Sequence, residues 1–230
     1  MGSGRIISVE GVAGIGTTLF SETFNSLLGE RSELFCWTEA DVDIEREAWL
    51  NSSSQAGIVH CVRELMLSVE VLRIAAKWAR SGENQIALLE RSPVHANAKA
   101  YALWSTGRMD KPTFDLFQEV YTEVVSCSTV PPIFASIELL CESGTERRRR
   151  ERRRRLHKYP WHCEEHQENY ATGLGIGLLA LEGSDRLAHH FRVDWSKKLK
   201  TNRIHAAVDQ VVGHIDSEMR KAQVPGGLLG

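Results

Sequence analysis

Residues 5–20 read RIISVEGVAGIGTTLF, and this stretch decides the fold. Arg5, Ile6, Ile7, Ser8, Val9 and Glu10 have the β-branched, apolar character of a short buried strand. The glycine-rich loop Gly11, Val12, Ala13, Gly14, Ile15, Gly16 follows at once, and Thr17-Thr18 opens a helix whose inward face is read as Leu19, Phe20, Phe24, Leu27 and Leu28, with Gly29 at its end. Strand, glycine loop and helix in this order wrap successive backbone N–H groups around nucleotide phosphates, and the helix N-terminus adds partial positive charge. The pattern GxxxxGK[ST] is met at every position but one: Thr17 stands where the lysine belongs. Thr18 keeps the hydroxyl that ligates magnesium in such loops. Losing one preorganised cationic donor costs about 3–4 kcal/mol in the transition state unless another cation replaces it.

The rest of the 230 residues places this unit in a larger α/β chain. Strand-like segments at 5–10, 33–39, 85–90, 132–140 and 189–195 alternate with helical stretches, the signature of a parallel sheet wrapped by helices. Val62, Leu65, Met66, Val69, Leu72, Ala75 and Ala76 recur at helical spacing, as do Phe114, Phe117, Tyr121, Val124 and Val125 after Pro112. A last helix carries Ile204, Ala207, Val208, Val211, Val212, Ile215 and Met219. Residues 156–177, with Pro, His, Trp and alternating glycines, read as a mobile region, and 224–230 as a disordered tail after a single domain at 1–223.

Composition narrows the function classes. Lys plus Arg is 28 against 30 for Asp plus Glu, so no overall positive field draws the chain to nucleic acid or anionic lipid. No apolar run approaches the ~20 residues that span a bilayer. Five scattered cysteines without a CxxC pair fit a reducing compartment, and the expectation is a cytoplasmic protein.

In order along the chain, four blocks resemble the deoxynucleoside kinase family, which includes the herpesvirus thymidine kinases: the loop at 11–18; Thr38-Glu39-Ala40 with Trp49 downstream; Leu89-Glu90-Arg91-Ser92-Pro93; and the run RRRRERRRR at 147–155. The resemblance implies a P-loop kinase fold with five parallel strands in the order 2-3-1-4-5. It implies transfer of the γ-phosphate of ATP, with Mg2+, to the 5′-hydroxyl of a deoxynucleoside, thymidine being the inherited expectation, and it raises the prospect of a viral source. Glu39 would accept the hydroxyl proton, Arg91 would orient the substrate, and Thr18 with Glu90 would hold the metal. Arg148 and Arg152 would close over the phosphates as part of a lid, and the apolar helices suggest a homodimer.

The sequence departs from the family in two further places. The aromatic-Gln pair that reads the base is replaced by Met66-Leu67, with neither Gln55 nor Gln85 in register. Asn97 stands near an expected arginine, with Lys99 two residues on. Two other functions fit the same core: a nucleoside monophosphate kinase, and a non-catalytic nucleotide-binding protein in which Thr17 marks lost chemistry. The arginine run lacks the interleaved aromatics of a nucleic-acid surface. His157, His162, Cys163 and His166 are ligand types for zinc, but at a spacing poor for a structural site. Asp194 and Trp195 fall where a loop could meet adenine.

Overall fold

The computed structural model describes residues 5–12, 15–36, 54–82, 85–140, 164–194 and 201–223. Strands β1 (Arg5–Glu10), β2 (Ser32–Cys36), β3 (Ile86–Glu90), β4 (Ile133–Leu140) and β5 (Leu187–Asp194) form one parallel sheet in the order β2-β3-β1-β4-β5. This is the strand order that the resemblance implies. Successive residues of the central strands face opposite layers, as a sheet covered on both sides demands. Ile6, Ala87 and Leu89 point into the core under helices α2 (Ser54–Ala79), α3 (Val94–Ser105), α4 (Lys111–Ser126) and α5 (Glu164–Gly183). Ile7, Val9, Ile86 and Leu88 point the other way, towards α1 (Thr17–Leu28) and α6 (Thr201–Gln223).

Local chemistry sets the element ends. Asp110 caps α4 by accepting from the Thr113 N–H at 2.8 Å, with Pro112 in the first turn where its missing N–H costs nothing. Gly16, at φ 113, makes the left-handed step into α1, which a side chain would strain.

Three readings of helix faces and order are corrected. Leu19 and Leu27 are 43% and 42% exposed, because the inward face of α1 is the Thr17, Phe20, Ser21, Phe24, Leu28 stripe and each leucine falls one residue off it. Met66, one position past buried Leu65, is likewise half exposed. From residue 164 the segment read as mobile is regular helix α5, and two of its glycines serve packing. A Cβ on Gly173 would lie 2.7 Å from Tyr101 Cβ and 3.0 Å from Ala98 Cα, and one on Gly177 2.7 Å from Val94 Cγ1. Close approach of α5 to α3 therefore depends on both glycines. Helix α3, where a helix start near Lys99 was expected, was not delimited from the sequence. No helix among the described residues is long and apolar enough to cross a membrane.

Gly175, between the two, has open space where a Cβ would be. Gly175→Ala should stabilise the fold by up to about 1 kcal/mol through helix propensity. Gly173→Ala should lose about 1–3 kcal/mol despite the same propensity gain, because overpacking outweighs it. Urea unfolding of the two variants checks the opposite signs.

Candidate active site

Parallel pairing places Val9 of β1 beside Glu90 of β3, so the loop after β1 and the turn after β3 emerge at the same carboxyl edge of the sheet. The loop folds back tightly: Ile15 N–H donates to Val12 O at 3.1 Å, and a Cβ on Gly11 would meet Ile15 Cγ2 at 2.8 Å. Thr18 Oγ1 then donates to Glu90 Oε1 at 2.6 Å, and Thr17 Oγ1 to the same oxygen at 3.2 Å. Two hydroxyls and a carboxylate meet at the N-terminus of α1. This all-oxygen set is of the hard type that suits Mg2+. Thr17, only 8% exposed, turns its hydroxyl to Glu90 and brings no charge to the loop.

The turn after β3 is held from below. Arg91 has φ 73, a left-handed backbone uncommon for a residue with a side chain, and its N–H donates to Val9 O at 3.2 Å. Ser92 N–H donates to Glu10 Oε1 at 3.2 Å, while Glu10 Oε2 lies 2.8 Å from His95 Nε2. The Tyr170 hydroxyl of α5 hydrogen-bonds His95 Nδ1. Complete burial opposes ionisation of Glu10, but attraction to His95 and hydrogen bonds from His95, Ser92 and Ser8 outweigh it and hold its pKa below the usual carboxylate range. Nearby Tyr121 is raised, by burial first and by the Glu10 charge second.

A second charged cluster joins α2 and α3. Helix α2 has 26 residues, about 39 Å at 1.5 Å per residue, so it is longer than the five-residue strands beside it. His60 and Glu64 lie in its first half and meet Lys99 of α3. Lys99 Nζ contacts Glu64 Oε1 and stands 3.0 Å from His60 Nε2, which is 3.3 Å from Glu64 Oε1. Burial pushes the Glu64 pKa up, yet Lys99 and then His60 bring it down to about 2. Neighbouring Cys61 is raised, chiefly by burial.

The structure thus brings together Gly11, Val12, Ile15, Gly16, Thr17, Thr18, Glu90 and Arg91 at one edge of the sheet. Ala13, Gly14, Glu39, Trp49, Arg148, Arg152 and Trp195 lie outside the described residues, as do His157, His162 and Cys163. Among the described residues no group of three or more His, Cys, Asp or Glu is arranged to hold a metal. His166 is buried. Asn97 makes internal bonds, donating to Gly173 O at 3.4 Å and accepting from Gln118 Nε2 at 2.7 Å. Glu10, His95, Tyr170 and Glu64 were not singled out from sequence. A carboxylate closing a strand that runs straight into the glycine loop, as Glu10 does, was the available signal.

No protein-family model and no curated protein matches the chain. Solved structures do. The deoxyadenosine kinase from M. mycoides with bound dCTP superposes with a TM-score of 0.69 at 15% identity, covering 91% of this chain and all of that one. The same kinase with bound dATP gives 0.68 at 16% identity, over 90% and 99% of the two chains. With products dCMP and a flexible dCDP bound it gives 0.66 at 13% identity, over 93% and 100%. The chain therefore has the P-loop nucleoside kinase fold. At these identities it is the fold that is shared.

The Glu64 cluster gives a pH test with a definite sign. A carboxyl whose folded pKa lies below its unfolded value contributes stability that is present above the unfolded value and is lost as pH falls through the folded one. For Glu64 that window runs from about pH 4.5 down to about pH 2. Lys99→Met leaves the carboxylate buried without its main counter-charge and should cost about 3–5 kcal/mol at pH 7. The gap to wild type should narrow towards pH 4, where protonation relieves the variant. Thermal melts at both pH values measure it.

Proposed function

We propose that this chain is an ATP-dependent deoxynucleoside kinase, passing the γ-phosphate to the 5′-hydroxyl of a deoxynucleoside for nucleotide salvage. The observation that carries the reading is the convergence of Thr18 and Thr17 on Glu90, at the carboxyl edge where a glycine loop feeds a helix. Loop N–H groups and the α1 N-terminus would cradle the phosphates. Thr18 and Glu90 would hold Mg2+, which would supply positive charge against that developing on the phosphates. Glu39 would take the proton from the attacking hydroxyl. Arg91, on its fixed left-handed backbone, would align that hydroxyl, and Arg148 and Arg152 would supply the cationic charge that Thr17 does not.

Thymidine is the base the family resemblance suggests. The neighbouring M. mycoides enzyme is a deoxyadenosine kinase seen with dATP and dCTP, which supports testing deoxyadenosine and deoxycytidine alongside it. With ATP-Mg and each deoxynucleoside, wild type should turn over at least one substrate. Glu39→Gln should then lower kcat about 10²–10⁴-fold. Thr17→Lys should raise kcat if the loop still lacks a cation, by up to about 10²–10³-fold. Turnover of dTMP with none of thymidine would select a monophosphate kinase instead. Nucleotide binding that raises Tm without any turnover would select a non-catalytic binder.

A further inference from the structure

Glu10 has no place in the chemistry just described, yet it is fully buried at the end of β1, next to Gly11 of the phosphate loop. Desolvating a carboxylate costs several kcal/mol, and an apolar residue such as its strand neighbour Val9 would avoid that cost. What the charge holds is the turn after β3. One carboxylate oxygen accepts the Ser92 N–H and the other faces His95 Nε2. The same turn closes on itself, with Val94 N–H donating to Ser92 Oγ at 3.3 Å and His95 N–H to Ser92 O at 3.1 Å. Arg91, immediately before Ser92, is the residue with the left-handed backbone. Such a conformation costs of order 1–3 kcal/mol and persists only where its surroundings hold it. Behind His95, the Tyr170 hydroxyl engages Nδ1 and fixes the ring, with the two rings 5.6 Å apart.

We propose that Glu10 and His95, oriented by Tyr170, are positioning residues: they act through the Ser92 amide to hold Arg91 and Glu90 in register with the phosphate loop. The inference rests on the kinase reading for its kinetic consequence but not for its structural one. The chain of contacts Glu10, His95, Tyr170 spans the end of β1, the first turn of α3 and the first half of α5. The α5 helix thereby reaches the catalytic turn through two side chains. None of the three need touch substrate.

Histidine 95 allows a clean test, because an Asn amide sits where Nδ1 does and a Gln amide where Nε2 does. His95→Gln keeps the limb to Glu10, and His95→Asn keeps only the limb to Tyr170. Amide hydrogen exchange at Ser92, compared with Leu88 in β3, reads the turn without any need for turnover. In His95→Asn the Ser92 amide should exchange about tenfold faster or more while Leu88 is unchanged, and His95→Gln should restore it. For enzyme that turns over, kcat should fall about 10–100-fold in His95→Asn, with the KM for ATP kept within about twofold, and His95→Gln should recover most of it. Tyr170→Phe, which removes one hydroxyl, should move both readouts the same way by a smaller factor, and it serves if His95→Asn folds poorly. Unchanged Ser92 exchange, or equal loss of protection at Ser92 and Leu88, overturns the proposal. A wild type silent on every deoxynucleoside overturns the kinase reading instead, and the exchange pattern still decides the role of Glu10 and His95.

Discussion

The parallel pairing of β1 with β3 is the constraint from which the site follows. Its register sets Val9 against Glu90, so two connections that leave different strands are delivered to one edge within hydrogen-bond reach. A shift of one residue would turn Glu90 to the opposite face and replace it with Leu89, which packs in the core. Burial of Ile6, Ile7, Leu88 and Leu89 on the two sides of the sheet therefore does more than stabilise strands. It fixes which carboxylate meets the helix N-terminus.

What could be read from the sequence was what local pattern determines. The strand, loop and helix at 5–28 were legible because glycines, β-branched residues and a helical apolar stripe each carry a local signal. The alternation of elements pointed to a parallel sheet, and the strand order followed from the resemblance. Helix α3 was missed because Ala96, Ala98, Ala100 and Ala102 are all buried, so nothing alternates with a helical period. Helix α5 was obscured by Gly173, Gly175 and Gly177, residues that ordinarily weaken helices. Two of these three admit α3 at close range, a property of the partner helix that no single segment encodes.

The charged network beneath the site was hidden for a related reason. Glu10 closes a strand without any local sign of its partners, because Ser92 and His95 lie 82 and 85 residues away in sequence and Tyr170, which engages His95, a further 75 beyond His95. Only the fold shows that the carboxylate is buried and that its two oxygens serve a turn and a ring. The same holds for Glu64, whose ionisation depends on Lys99, 35 residues on. In both clusters one buried carboxylate is compensated in part by a group from helix α3, so each ties two elements together at a point where apolar packing alone would leave their relative placement less determined.

Thr17 separates architecture from chemistry in the phosphate loop. Its methyl lies within 3.3 Å of where a Gly11 Cβ would be, and its hydroxyl shares Glu90 with Thr18, so the residue fills its space and satisfies its polar atom. Nothing in that arrangement calls for an ammonium to keep the loop folded. The amides and helix N-terminus that would hold phosphate, with roughly half a unit of positive charge, do not depend on residue 17. A lysine in this position contributes to the transition state and not to the loop's shape, so its replacement removes a cation without disturbing the strand, loop and helix. Arg91 leaves the same edge on a left-handed backbone, beside the Ser92 amide that the buried Glu10 holds from beneath.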